Sequence, residues 1–143
     1  TSYELLDNGN LIHKEDKDFF KKVIDFIEQN IENEDLSVPL ICDKIGISKM
    51  TFYRKTRKIL NLTPSDFIKN IKLNRAIVLL KTTNFTVQEV IFRCGFNNRS
   101  YFYREFFKLY NMTPKEYKDK HNIKENEHKT NSTDIDSANS HLL

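Results

Sequence analysis

Apolar residues recur every three or four positions along most of the chain, which is the spacing of one face of an α-helix. Residues 15–33 show this pattern with Phe19, Val23 and Ile27 on one face, and residues 64–82 show it over the longest stretch. No strand-like alternation stands out, and only three Gly and three Pro interrupt the chain. The pattern therefore predicts an all-α fold with no sheet.

An internal repeat gives the chain its organisation. Residues 36–67 resemble residues 85–117 at an offset of 49 or 50 positions. The matching positions are Gly46 with Gly95, Phe52-Tyr53-Arg54 with Phe102-Tyr103-Arg104, and Asn61-Leu62-Thr63-Pro64 with Asn111-Met112-Thr113-Pro114. Two copies are too few for a stacked repeat protein, so we interpret them as a duplicated small motif.

The first helix of each copy has clear start and stop signals. Ser37 in the first copy is a helix N-cap, and Thr86 with Glu89 in the second copy is a capping box. Gly46 and Gly95 follow these helices, and glycine there permits the positive φ of a tight turn.

The second helix of each copy is predicted over residues 49–60 and 99–110, with Ser48 and Asn98 as caps. An Asn follows each of these helices, and Asn tolerates the left-handed conformation that ends a helix. A Thr-Pro pair then starts the next helix, with Pro at its first position. Both copies therefore predict helix-turn-helix units.

These signals divide the chain into five segments. They are residues 1–14, a linker or arm; residues 15–63, the first helix-turn-helix subdomain; residues 64–82, a long linker helix; residues 83–121, the second helix-turn-helix subdomain; and residues 122–143, a polar tail that we expect to be disordered.

The net charge of +3 conceals an uneven distribution. Residues 36–120 carry seventeen Lys or Arg and six Asp or Glu, a net +11, whereas residues 1–35 carry −6 and residues 121–143 carry −2. A basic centre between acidic flanks indicates a polyanionic partner. A solvated, Lys-rich helical surface is the alternative, and charge alone does not separate the two.

The second helices carry the candidate chemistry. The faces assigned to the core hold Phe52, Thr56 and Ile59 in the first copy and Phe102, Phe106 and Leu109 in the second. The opposite faces hold Lys49, Met50, Tyr53, Arg54 and Arg57 in the first copy and Arg99, Ser100, Tyr103 and Arg104 in the second. A helix fits the major groove of B-DNA, where Arg can bind guanine O6 and N7 with two hydrogen bonds. The alternative is that Arg54 and Arg104 pair with local acids such as Asp43 and Glu105.

The chain resembles the C-terminal DNA-binding domain of the AraC/XylS family of transcription regulators. The residues that carry the resemblance are Gly95-Phe96, the stretch 101–108, Met112-Thr113-Pro114 with Tyr117, and the linker stretch 73–80. The resemblance covers residues 18–120, and it implies seven helices, reading of two adjacent major grooves and control by a sensor domain upstream of this fragment. Residues 15–35 further resemble the variant that ends hybrid two-component regulators.

The resemblance also implies which residues contact DNA. The base-reading positions correspond to Lys49, Met50, Tyr53 and Arg54 in the first copy and to Asn98, Arg99, Ser100, Tyr103 and Arg104 in the second. For contacts with the DNA backbone we predict Ser48, Arg57, Lys58, Lys108 and Lys115. A merely solvated surface is the alternative for these lysines.

Some residues depart from the family pattern. Thr56 stands where a larger apolar residue is usual, which predicts looser packing in the first copy. Asn61 and Asn111 stand where Gly is common. Met50 is an unusual reader, so we expect an apolar contact there, for example with a thymine methyl group.

Other classes of function lack their sequence signatures. The chain contains no P-loop, HExxH motif or Ser-His-Asp spacing, so we expect no enzyme, no metal and no cofactor. Cys42 and Cys94 match Ile91 and Ile45 of the other copy, so we expect them in the core rather than on a metal. A helical protein-protein interaction module without DNA binding is the remaining alternative, and it predicts apolar or acidic faces on the second helices.

The last expectations concern the protein as a whole. Thr1 is not an initiator Met, so we expect a piece of a longer chain. The sequence has no signal peptide and no apolar run of membrane-spanning length, so we expect a cytoplasmic fragment without membrane contact. Its expected partners are double-stranded DNA, RNA polymerase and upstream sensor or receiver domains. Because one chain carries two readers, we expect the fragment to be a monomer.

Overall fold

A computed structural model describes residues 3–5 and 11–121 of the 143-residue chain. The helices in this part are α1 (Lys14–Gln29), α2 (Val38–Ile45), α3 (Lys49–Lys55), α4 (Pro64–Thr82), α5 (Val87–Arg93), α6 (Arg99–Tyr110) and α7 (Pro114–His121). The predicted all-α class and the count of seven helices are confirmed. The tail predicted over residues 122–143 lies outside the described residues.

A short β-ribbon precedes the helices, and the sequence pattern does not predict it. Strand β1 (Tyr3–Leu5) pairs antiparallel with β2 (Leu11–His13) within the segment expected to be a linker or arm. The expectation of no sheet therefore holds for residues 14–121 but not for this ribbon. Three residues per strand are too few to show alternation, and only Ile12 of β2 is fully buried.

Helix starts lie where the cap residues predict them. The Ser37 hydroxyl accepts a hydrogen bond from the Leu40 N–H at 3.3 Å, and the Thr86 hydroxyl accepts one from the Glu89 N–H at 3.1 Å. The Thr-Pro pairs act in the same way, because the hydroxyl of each Thr accepts a backbone N–H three residues later at 3.1 Å. These bonds satisfy backbone donors that a helix start leaves open.

Four residues in the left-handed region end or follow helices, as predicted: Gly46 (φ 81°), Gly95 (φ 78°), Asn61 (φ 57°) and Asn111 (φ 58°). A Cβ added at Gly46 would meet no atom within 4 Å. Glycine is therefore favoured at Gly46 by its backbone conformation rather than by a lack of space. The two Asn residues show that this conformation does not require glycine at every turn.

The chain packs as two compact units whose boundary falls inside α4, between Ile71 and Lys72. In the first unit, the Phe20 ring packs against the Phe19 ring, with centroids 5.1 Å apart, and against the Phe67 ring at 5.6 Å. The core of the second unit is a single cluster that includes Leu73, Ala76, Leu80, Val90, Ile91, Cys94, Phe102, Phe106 and Tyr117. Each helix-turn-helix copy therefore has a core of its own.

The inward faces of the second helices are mostly as predicted. Phe52, Thr56, Phe102 and Phe106 are fully buried. Leu109 is 45% exposed, so its assignment to the core is wrong. Tyr110 takes that place because it lies four residues after Phe106, and its ring packs on the Phe106 ring at 4.8 Å.

The two copies end their second helices differently. After α3 the chain forms a π-helical turn, Thr56–Leu60, whereas α6 runs as a regular helix to Tyr110. The buried Thr56 hydroxyl donates to the carbonyl oxygens of Phe52 at 2.8 Å and Tyr53 at 3.1 Å. It thereby competes with backbone N–H groups for these carbonyls, which accounts for the widened turn.

Candidate nucleic-acid interface

Helix α3 presents its predicted reading residues to solvent. The Ser48 hydroxyl caps the helix by accepting the Thr51 N–H at 3.0 Å. Met50 is 77% exposed and Tyr53 is 51% exposed, and Lys49 and Arg54 are exposed as well. Because Phe52 is buried on the opposite side, α3 has one face in the core and one face available to a partner.

Helix α6 repeats this arrangement with different chemistry. Arg99, Ser100 and Arg104 are exposed, while Tyr103 is half-buried because its ring packs against Phe102 at 5.8 Å. Asn98 uses its side-chain oxygen as the helix cap, accepting the Tyr101 N–H at 2.8 Å. Its amide N–H₂ group is the part of this side chain that can donate to a base.

The cap on α6 gives a prediction about stability. We expect Asn98→Ala to lower the free energy of unfolding by about 1 kcal/mol, because the Tyr101 N–H loses its acceptor. Asn98→Ser should retain most of the stability, since serine is an equally good cap. Thermal unfolding followed by circular dichroism measures both. Equal losses for the two variants would contradict the capping role.

The residue that follows each matching arginine differs, because Lys55 follows Arg54 and Glu105 follows Arg104. The Arg104 Nε lies 3.4 Å from a carboxylate oxygen of Glu105, and the Lys108 Nζ lies 3.4 Å from the same oxygen. Glu105 is buried, so this carboxylate anchors two cations at the edge of the core. The local pairing considered for Arg104 is therefore present, and it occupies the Nε edge of the guanidinium.

Lys55 occupies in the first copy the position that Glu105 occupies in the second. Its ammonium forms an ion pair with Asp16 of α1 and lies 5.4 Å from the centroid of the Phe19 ring. These contacts join α3 to α1. The sequence gives no local signal for a pair of residues separated by 39 positions.

The residues predicted to contact the DNA backbone are also at the surface. Arg57, Lys58, Lys108 and Lys115 are exposed. Ser48 is exposed too, but its hydroxyl both accepts the Thr51 N–H and donates to the Thr51 hydroxyl at 2.9 Å. A contact between the Ser48 hydroxyl and a DNA phosphate remains a prediction. Such a contact would compete with the two hydrogen bonds to Thr51.

A lysine from α4 supports the turn of the second copy. The Lys72 ammonium donates to the Gly95 carbonyl oxygen at 3.1 Å and lies 5.8 Å from the Phe96 ring centroid. Desolvation by burial lowers the pKa of Lys72. This contact, which the sequence pattern does not predict, joins the turn between α5 and α6 to α4.

The cysteines lie in the core, as predicted. Cys42 and Cys94 are both buried, and burial raises the pKa of the Cys42 thiol. Among the described residues, no group of three or more His, Cys, Asp or Glu side chains is placed to hold a metal ion. In the same part of the chain, no helix is both long and apolar enough to cross a membrane.

Two helix-turn-helix units, each with a basic exposed face on its second helix, define the class of protein as a double helix-turn-helix nucleic-acid-binding domain. Residues 41–120 match the sequence pattern of a family described as helix-turn-helix domains. The chain belongs to this AraC-type helix-turn-helix family of DNA-binding domains.

Similar proteins come from several bacteria. Histidine kinase P4 of Formosa agariphila is 32% identical over 106 residues, which are 74% of this chain and 8% of that protein. The xylose operon regulatory protein of Escherichia coli is 33% identical over 84 residues, 59% of this chain and 21% of that protein. An AraC-type transcriptional regulator structure from Chromobacterium violaceum has a TM-score of 0.69 at 26% identity, covering 76% of this chain and 96% of that one. The chain thus spans only a small part of either curated relative.

Proposed function

We propose that this domain recognises a specific operator by placing α3 and α6 in adjacent major grooves of double-stranded DNA. The observation that carries the proposal is the matching exposure of α3 and α6, since each has a buried Phe and an exposed Arg two positions further along. Lys49, Met50, Tyr53 and Arg54 would read bases in one groove. Asn98, Arg99, Ser100, Tyr103 and Arg104 would read them in the other. Arg57, Lys58, Lys108 and Lys115 would bind phosphates.

The two halves of the operator should differ in sequence. The first copy offers Lys49 and Met50 where the second offers Arg99 and Ser100, and these side chains prefer different base edges. Helix α4 between the copies has 19 residues and a length of about 28 Å, against about 34 Å between successive major grooves on one face of B-DNA. We therefore infer some bending of the bound DNA.

Selection from a random pool of DNA duplexes tests this proposal. We expect the enriched sequences to contain two unlike half-sites about 10 base pairs apart, without a palindrome. Footprinting of an enriched duplex should show protection over roughly two helical turns. Protection of a single groove, or a palindrome bound by two chains, would contradict the proposal.

The whole protein is proposed to be larger than this domain. We propose that it is a hybrid two-component regulator with this domain at its end, downstream of sensor or receiver domains, as the resemblance of residues 15–35 implies. The similarity to part of a histidine kinase supports the link to two-component regulation. We propose a cytoplasmic location, where the domain reaches chromosomal DNA, and a monomeric state for the fragment, because one chain carries both readers. We propose no enzymatic activity for the domain itself.

One observation favours an additional protein partner. Phe92 of α5 is 67% exposed, and Phe107 and Leu109 of α6 are 51% and 45% exposed. Exposed apolar side chains are common at protein contacts. We propose RNA polymerase as the partner that contacts these side chains of the second unit, while the basic residues on α3 and α6 argue against an interaction module without DNA binding.

A further inference from the structure

A side-chain hydrogen bond joins the starts of α5 and α6 in the second unit. The guanidinium Nη1 of Arg99, the first residue of α6, donates to the side-chain oxygen of Gln88, the second residue of α5, at 3.2 Å. The guanidinium carbon of Arg99 also lies 5.5 Å from the centroid of the Tyr103 ring. Arg99 therefore contacts both an amide and an aromatic ring although it is exposed.

Such a contact changes what an arginine can do at a DNA surface. A free arginine loses considerable side-chain entropy when it is fixed against a base. The bond to Gln88 uses one of the five guanidinium N–H donors, so enough donors remain for a two-pronged contact with guanine. The Arg99 side chain is thus partly ordered before DNA binds. This partial ordering strengthens the preference for a base that fits the orientation of the guanidinium.

The first copy lacks the residues for a hydrogen bond equivalent to that between Arg99 and Gln88. In the repeat alignment Pro39 corresponds to Gln88, and Lys49 corresponds to Arg99. The proline side chain has no hydrogen-bond acceptor, and the ammonium of a lysine lacks the planar fork of a guanidinium. The two units therefore differ at both positions. Only the second unit has an arginine at the reading position together with a side chain that accepts a hydrogen bond from it.

We propose that Gln88 is a positioning residue that pre-orients Arg99 to read a guanine in the half-site of the second unit. This inference rests on the proposed DNA-binding function and deepens it. It makes Gln88, which lies outside the recognition helix, a determinant of sequence preference. It also predicts that base discrimination at the position of Arg99 is stronger than at that of Lys49.

The role of Gln88 is tested by selecting bound duplexes from a random pool, once with the wild-type protein and once with each variant. The position whose guanine preference disappears in Arg99→Ala marks the base that Arg99 reads. At that position we expect Gln88→Ala to weaken the preference by about threefold to tenfold, a part of what a full bidentate contact provides. Gln88→Glu keeps the acceptor and should keep the preference. Gln29→Ala, the same change at the exposed last residue of α1, should leave it unaltered.

The double variant separates positioning from direct contact. If Gln88 acts through Arg99, adding Gln88→Ala to Arg99→Ala has no further effect on base preference. An additional loss in the double variant would mean that Gln88 contacts DNA itself and would overturn the inference. An unchanged preference in Gln88→Ala would overturn it too. Wild-type protein that enriches no sequence would instead refute the proposed function, and the inference with it.

Discussion

Replacing Arg54 and Arg104 together with alanine is expected to abolish sequence-specific binding while the domain stays folded. Each arginine lies on the exposed side of its recognition helix, two positions after a fully buried Phe. A bidentate contact between Arg and guanine is worth about 1–3 kcal/mol of discrimination, so losing two removes much of the preference for an operator. Each single variant should relax the preference in one half-site only. Competition between an enriched duplex and random duplexes measures the effect.

The matched control is Lys58→Ala, at an exposed position just beyond α3. A lysine that contacts phosphate supports every sequence alike, so this variant should weaken binding uniformly and lower the slope of the salt dependence by about one. Normal binding of the selected duplex by both Arg54→Ala and Arg104→Ala would show that the helices dock differently. Because Arg104 shares the Glu105 carboxylate with Lys108, the thermal stability of its variant must be measured alongside.

The largest effect on stability is expected from Phe106→Ala, at about 3–5 kcal/mol of unfolding free energy. The Phe106 side chain is fully buried, and its ring packs against those of Phe102 at 5.6 Å, Tyr110 at 4.8 Å and Tyr117 at 6.1 Å. Removing it leaves a cavity among aromatic rings on two helices, α6 and α7. The second unit should therefore unfold at a lower concentration of urea.

Phe107→Ala is the control for this loss, because it makes the same chemical change one residue further along. Phe107 is 51% exposed, so little apolar contact is lost and we expect a change well under that of Phe106→Ala. Urea unfolding followed by circular dichroism compares the two. Similar losses for both variants would mean that the core of the second unit is not organised around Phe106.

Local features of this fold could be predicted because their causes are local. The Ser48 cap acts on a backbone N–H three residues away, and the positive φ of Asn111 follows from its own side chain and position. The burial of Cys42 and Cys94 followed from the repeat, which places an isoleucine at each matching position. In a duplicated motif, the residue at the matching position of the other copy thus helps to predict whether a side chain is buried.

Contacts between elements could not be predicted in this way. The bond from Arg99 to Gln88 crosses a turn, and the pair of Lys55 with Asp16 joins helices far apart in sequence. Neither follows from periodicity, because both depend on how two helices pack. The error at Leu109 has a related cause, since a spacing of three or four residues fits either Leu109 or Tyr110, and the packing on Phe106 decides between them.

The opposite charges of Lys55 and Glu105 limit how this duplicated domain can evolve. Lys55 needs Asp16 as its neighbour, whereas Glu105 needs Arg104 and Lys108. Transplanting α6 into the place of α3 would carry Arg104 and Lys108 along with Glu105, but it would set a carboxylate where Asp16 now pairs with an ammonium. The reverse exchange would put an ammonium where the second unit buries a carboxylate. The two recognition helices, α3 and α6, therefore cannot be exchanged for one another, although their sequences match in part. We therefore expect single changes at exposed positions such as Met50 or Ser100 to alter operator preference without disturbing these ion pairs, whereas exchange of whole helices would disturb them.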